Sequence, residues 1–218
     1  MPVRVAIDAM GGDHAPAATV EGALRASRVV DVLLVGRKSE LESELERHPP
    51  SPRIEVVNAS DVIEMHEAPA AAVKAKPDSS IAVGLSLHRD GKASAFVSAG
   101  NTGAVMAASL FLLGRQAGVA RPAVVGFFPS PKGVSLVLDV GTNVDCKPEH
   151  LVQFAHMGTE YMRRVMNREH PSVGLLNVGE EPGKGNELAK SAYPLLEAEA
   201  GITFTGNVEG RDILLGKT

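Results

Sequence analysis

The sequence predicts an α/β protein built on a doubly wound, mostly parallel sheet, and three observations carry that prediction. Short β-branched runs alternate with helical patterns along all 218 residues, which is the pattern of consecutive βαβ units. Most of the strand candidates are continuous apolar runs rather than alternating ones, as expected of strands covered by helices on both faces. The Gly-rich polar clusters fall immediately after strands, at the carboxyl edge where open α/β sheets bind ligands.

Taken in order, the strand candidates are VRVAID (3–8), DVLLVG (31–36), RIEVVN (53–58), SAFVSA (94–99), AVVGFF (123–128), VSLVLDV (134–140), VGLLNV (173–178) and ITFTGN (202–207). A helix beginning near Pro16 carries Val20, Ala23, Leu24 and Ser27 on one side. SELESELERH reads as a charged surface helix that HPPSP stops sharply. An Ala-rich helical run follows SAGNTGA. Another helix begins at Pro148, a favourable first helical residue, and spaces Leu151, Phe154, Ala155, Met162 and Val165 helically. The pattern ends in RDILLGKT, where Gly216 reads as a helix cap leading into a further strand. No internal linker divides the chain, so a single α/β domain over 1–218 is expected.

Composition narrows the function classes. A net charge of −4 and the lack of a Lys/Arg-dense stripe argue against nucleic acid as a partner. With no Trp and two Tyr, base-stacking platforms are scarce too. The single cysteine, Cys146, excludes an intrachain disulfide and a Cys-based zinc cluster, and fits a reducing, cytoplasmic setting. The longest nearly apolar run, 104–114, falls short of the roughly 20 residues of a spanning helix. The N-terminus enters a strand pattern at once, leaving no room for a signal peptide.

Five clusters follow strands. DAMGGDH supplies Asp8, Gly11, Gly12, Asp13 and His14, either as a plain strand–turn–helix joint or as a substrate-facing wall with room for close approach. SAGNTGA matches neither common phosphate-loop pattern, yet Ser98, Gly100, Asn101, Thr102 and Gly103 lie at a helix start, where backbone N–H groups favour anions. The alternative is an Asn or Thr helix cap. DVGTNVDCKPEH is the densest, with Asp139, Asn143, Asp145, Cys146, Lys147, Glu149 and His150. Three readings stay open there: Asp139 and Asp145 holding Mg²⁺, Cys146 as a nucleophile activated by His150, or Lys147 binding an anion while Asp145 caps the helix. NVGEEPGKGNE presents Lys184 between Gly183 and Gly185, with Glu180, Glu181 and Asn186 nearby. NVEGRD supplies Arg211, a planar donor for phosphate or carboxylate unless Glu209 or Asp212 pairs with it. Together the clusters are rich in donors and poor in apolar anchors, which favours a small phosphorylated or anionic substrate.

VRVAIDAMGGDHAP, SDVIEM, FVSAGNTGA, LDVGTNVDCKPEHL, LLNVGEEPGKGNE and GNVEGRDIL together resemble the PlsX family of phosphate acyltransferases, from residue 3 to about 215. Thr142 and Pro182 are small departures; the family also continues for roughly another hundred residues, a size still within one large α/β domain. The resemblance implies a Rossmann-like three-layer αβα sandwich and the reaction of acyl-acyl carrier protein with inorganic phosphate, giving acyl phosphate and free carrier protein, in bacterial phospholipid synthesis. It further implies no cofactor or metal, a homodimer, peripheral membrane contact, and hand-over to a membrane acyl-phosphate:glycerol-phosphate acyltransferase.

The chemistry of the residues is compatible with this. Phosphate is already a nucleophile and a thiolate, with an ordinary pKa near ~8.5, is a good leaving group. The protein must supply positioning and charge stabilisation. Lys184 and Lys147 are expected to hold phosphate with the 100–103 backbone, Asn101 or Asn143 to polarise the thioester carbonyl, and His14 or His150 to protonate the departing thiol. Asp139 joins Lys184, Asn143, His14 and His150 as a catalytic candidate. Gly11, Gly12, Asp13, Ser98, Gly100, Asn101, Thr102, Gly103, Lys147, Gly183, Gly185, Asn186 and Arg211 are the substrate-binding ones. Two other readings are a nicotinamide-dependent decarboxylating dehydrogenase of the isopropylmalate type and a non-catalytic module that binds carrier protein.

Overall fold

The structure is a computed structural model and describes residues 3–218. Its contacts fall into two compact units, one ending at Gly114 and the other spanning Arg115–Thr218.

In the first unit a four-stranded parallel sheet has the order β3-β2-β1-β4, from β1 (Arg4–Asp8), β2 (Asp31–Gly36), β3 (Ile54–Asn58) and β4 (Ala95–Val97). Its register sets Asp8 opposite Val35 and Ile7 opposite Val97. β2 shows why its sequence is an unbroken apolar run. Successive side chains leave a strand on opposite faces. Val32 and Leu34 accordingly enter one cluster with Val20, Ala23 and Leu41, while Leu33 and Val35 enter another with Ala6, Ala59 and Ala93. The first face is covered by α1 (Ala17–Ala26) and α2 (Lys38–Leu45), the second by α4 (Ser80–Arg89). A third cluster joins α3 (Pro69–Ala75), α4 and α5 (Thr102–Leu112) through Val73, Ile81, Leu85, Ala104, Ala107 and Ala108.

The second unit contains β5 (Val125–Ser130), β6 (Gly133–Leu138), α6 (Pro148–Arg164), β7 (Ser172–Leu176), α7 (Glu187–Ala198), β8 (Thr203–Val208) and α8 (Gly210–Leu215). β7 and β8 pair in parallel, and Leu175, Ala192 and Leu196 form the core between them, α6 and α7. β5 and β6 depart from the parallel expectation: Ser130 pairs with Gly133 and Val125 with Leu138, an antiparallel hairpin. The reason is length. A parallel pair needs a crossover of a dozen or more residues, and only Pro131 and Lys132 separate these strands. Gly216 ends α8 in the left-handed conformation at φ 65°, as the sequence predicts.

All eight strands and the helices after Pro16 and Pro148 form where the sequence expects them, and the mostly parallel α/β class holds. No helix among the described residues is long and apolar enough to cross a membrane.

Candidate functional site

In the first unit the site is built around a buried carboxylate. Asp8 ends β1 only 1% exposed. Its Oδ1 accepts from the Met10 N–H at 3.1 Å and its Oδ2 from the Ser98 hydroxyl at 2.7 Å, while Ser98 Oγ accepts from the Gly100 N–H at 3.0 Å. Asp8 thus fastens the loop after β1 to the loop after β4. Their glycines touch: a Cβ on Gly11 would stand 2.5 Å from Asp8 Oδ2 and 2.6 Å from the Gly100 nitrogen. Gly12, at φ 103°, lies against Ala99. Thr19 ties the first loop down by donating to the Ala9 carbonyl at 2.7 Å. Asp13, His14 and Thr102 are exposed around this junction.

Asn101 caps α5, its Oδ1 accepting from the Ala104 N–H at 3.0 Å. Its Nδ2 donates to the carbonyls of Glu64, Met65 and Glu67 at 3.2–3.3 Å, clamping the 64–67 loop. That loop is braced by Glu67, which accepts from Lys76 Nζ at 2.6 Å and the Glu64 N–H at 2.7 Å. Lys76 first and the Glu64 N–H second hold the Glu67 carboxyl below its ordinary range, against a smaller opposing effect of burial. Asn101 is therefore a cap and a clamp, and its amide hydrogens are already taken up by the protein. Gly103 has a packing reason to be small: a Cβ there would lie 2.6 Å from Pro69 Cγ at the start of α3.

In the second unit Asp139, just past β6, gathers its own loop. Oδ1 accepts from the N–H groups of Val124 at 3.2 Å and Thr142 at 3.3 Å; Oδ2 accepts from Asn143 N at 2.7 Å and Nδ2 at 2.8 Å. Burial pushes this carboxyl upward, but the bonds from Asn143, Val124 and Thr142 together outweigh it and hold the pKa below its ordinary value. Asn143 Nδ2 also donates to the Pro122 carbonyl at 2.8 Å. Both amide hydrogens of Asn143 are engaged within the protein. Cys146 is half-buried. Burial first and the Asp139 charge second raise its thiol pKa, with Arg121 pulling the other way and Asp145 adding a smaller push upward, the opposite of an activated nucleophile.

His150 closes the start of α6: its Nδ1 accepts from the Lys147 N–H at 3.1 Å. A ring nitrogen that accepts leaves the neutral ring's proton on Nε2, so His150 presents Nε2–H as a donor. Lys147, at the N-cap of the 17-residue α6, is exposed. The second loop of this unit has a similar design. Asn186 caps α7 by accepting from the Ala189 N–H at 2.9 Å, and Asn177 Nδ2 donates to the Lys184 carbonyl at 3.0 Å. Gly185, at φ 90°, packs on Asn177 where a side chain would collide. Gly183 is unobstructed, and the Lys184 stem lies over Gly179. Neither Lys147 nor Lys184 forms a salt bridge among the described residues. Two of the acidic groups in this unit are occupied: Glu180 by Lys217 at 2.7 Å and Glu209 by Arg211 at 3.3 Å. Arg211 is thus already ion-paired.

Asp8, Asn177 and Asn207 brace these loops, a role the motifs alone do not mark. Asn207 is 4% exposed; its Nδ2 donates to the Glu181 carbonyl at 2.7 Å and its Oδ1 has no partner. The readable signal is position, since a polar residue buried near the end of an apolar strand draws its partners from the loops at that edge of the sheet.

A family model described as "Fatty acid synthesis protein" matches residues 3–218. Curated relatives called "Phosphate acyltransferase" include one from Salinibacter ruber, 56% identical over 97% of this chain and 64% of its own length. One from Trichodesmium erythraeum is 49% identical over 100% of this chain and 65% of its own. The chain therefore spans just under two thirds of their length. Among solved structures, EutD phosphotransacetylase from Staphylococcus aureus superposes with a TM-score of 0.68 at 16% identity, covering 95% of this chain and 69% of that one. At that identity the likeness concerns the α/β fold alone.

Proposed function

The chain belongs to the fatty acid synthesis protein family, and from that membership we propose that it carries the larger part of a phosphate acyltransferase, moving an acyl group from acyl carrier protein to inorganic phosphate. The observation that carries this reading is the 49–56% identity to phosphate acyltransferases across the whole chain. In the reaction a phosphate oxygen attacks the thioester carbonyl carbon, and the carbonyl electrons move to oxygen. The C–O bond persists as the C–S bond breaks, and the thiolate takes up a proton. Nothing in this sequence requires a covalent enzyme intermediate.

The chain's own groups suit the charges that develop. Lys147 and Lys184 are exposed cations beside the starts of α6 and α7, where helix N–H groups and the macrodipole add to their pull on a phosphate. In the first unit the Asp8-braced loops at 10–12 and 98–103 are anion-facing candidates through their backbone, with Thr102 contributing a hydroxyl. Since the Asn101 and Asn143 amides are taken up internally, backbone N–H groups are assigned to the oxyanion. The exposed His14 or solvent remains the proton source for the thiolate, while His150, whose Nδ1 accepts from the Lys147 N–H, can offer its Nε2–H to the departing sulfur as a hydrogen bond. The same reading includes a homodimer, contact with a membrane surface, and delivery of acyl phosphate to a membrane acyltransferase. A nicotinamide-dependent dehydrogenase is not favoured by relatives called phosphate acyltransferases.

Lys184→Ala tests it. Acyl-phosphate formation is expected to fall about 100-fold or more, the scale of losing one charge-stabilising group, with an unchanged far-UV circular dichroism spectrum. Turnover near that of the unsubstituted protein would remove Lys184 from the mechanism.

A further inference from the structure

Lys184, the cation assigned to phosphate, sits on the turn between β7 and α7. The four-carbon stem of a lysine is flexible, so its ammonium has a defined place only where the backbone beneath it is fixed. Here that backbone is held from both sides by two asparagines, one just after β7 and one on β8, the strand paired with it. On one side the Lys184 N–H donates to the Glu181 carbonyl at 3.0 Å, and Asn207 Nδ2 donates to that same carbonyl at 2.7 Å. On the other side the Lys184 carbonyl accepts from Asn177 Nδ2 at 3.0 Å, while Asn177 Oδ1 accepts from the Val178 N–H at 2.8 Å. Asn177 is anchored in turn, its own N–H donating to the Val208 carbonyl at 2.8 Å.

Two features of Asn207 indicate that fold stability is not what its side chain supplies. First, it is 4% exposed and its Oδ1 has no partner, and a buried acceptor left unbonded costs stability. The Glu181 carbonyl accepts from Lys184 as well, so removing the Asn207 amide orphans no backbone group. Second, a β-bulge precedes it. Val173 and Leu175 are two steps apart on β7, whereas their partners Phe204 and Asn207 are three steps apart on β8. Gly206 lies in that interval at φ 92°, a conformation glycine adopts without steric cost. An extra residue re-aims the side chains that follow it, and bulges concentrate where such re-aiming serves a site. The first side chain after this bulge is Asn207.

We propose that Asn177 and Asn207 are positioning residues for phosphate. They act by holding the Lys184 backbone, so that its ammonium meets the incoming anion beside the start of α7. Gly185 completes the hold: it packs on Asn177 at φ 90°, where any side chain would collide. That the held cation serves phosphate rests on the acyltransferase reading; the hold on the backbone does not.

The test compares Asn177→Ala, Asn207→Ala and Lys184→Ala with the unsubstituted 218-residue chain. Amides of residues 180–186 are expected to exchange about tenfold faster in either asparagine variant, read by mass spectrometry, with an unchanged far-UV circular dichroism spectrum. In turnover of acyl-acyl carrier protein, KM for phosphate is expected to rise about 10- to 100-fold, the scale of a misplaced group, while KM for acyl-acyl carrier protein stays where it was. The urea midpoint of Asn207→Ala is expected not to fall. Because both asparagines act through one side chain, neither substitution is expected to add a further loss in the Lys184→Ala background. Titration with inorganic phosphate repeats the comparison without turnover, and affinity is expected to weaken by the same factor as KM rises. Unchanged exchange over 180–186, an unmoved phosphate KM or affinity, or losses that add to that of Lys184→Ala each overturn the proposal. So does a failure of the unsubstituted chain to bind phosphate. An unsubstituted chain that forms no acyl phosphate, yet binds phosphate and loses that binding in both asparagine variants, supports the positioning role and sinks the acyltransferase reading.

Discussion

Asp8 and Asp139 each follow or end a strand with a carboxylate turned back onto loop backbone, and in each case a neighbouring side chain, Ser98 or Asn143, completes the set of donors. The two differ in consequence. Asp8 fastens two glycine loops that leave no room for a methyl group, so Gly11→Ala should lower the unfolding free energy by about 1–3 kcal/mol, measurable by urea denaturation. Asn101→Ala removes a helix cap and the clamp on three carbonyls, with an expected loss of about 2–4 kcal/mol. A loss of only a few tenths would show that the 64–67 loop holds itself. Asp139 makes a pH-dependent contribution. Its folded-state pKa is depressed, so the stabilisation is full above the ordinary carboxylate value of about 4 and is lost as pH falls through the lower folded value. The stability gap between the unsubstituted protein and Asp139→Asn should therefore narrow as pH drops below about 4; a gap constant down to pH 2 contradicts this account.

Helices and strands were legible where periodicity and punctuation agreed. β2 lies over the residues its apolar run marked out, 31–36, because both faces are buried and nothing competes with that pattern. Pro148 and Gly216 bound their helices through the backbone geometry each favours. The β5–β6 hairpin was missed because two apolar runs look alike whichever way they pair; the two-residue connection was the deciding fact. α3 was missed because PAAAVKA has little amphipathic contrast, and what fixes it is α5, against which Pro69 rests at Gly103. Gly103→Ala gains helix propensity of up to about 1 kcal/mol but forces Cβ into a rigid proline ring, so steric cost wins. A net loss of about 1–2 kcal/mol is expected, and a rise in the melting temperature would show that α3 can slide away. The candidate site was legible as a set of strand-exit loops. Its internal division was not, since only coordinates reveal that the Asn101 and Asn143 donors are used up and that Lys147 and Lys184 are left without ion pairs.

At the scale of the whole molecule, the family relationship covers residues 3–218, while the relatives extend beyond the matched region. The chain should be incubated with acyl-acyl carrier protein and inorganic phosphate, with no metal or nicotinamide added, and acyl phosphate trapped with hydroxylamine. The account predicts hydroxamate formation, dependent on phosphate and lost in Lys184→Ala. Carrier protein and phosphate left unconverted by the folded chain would contradict it.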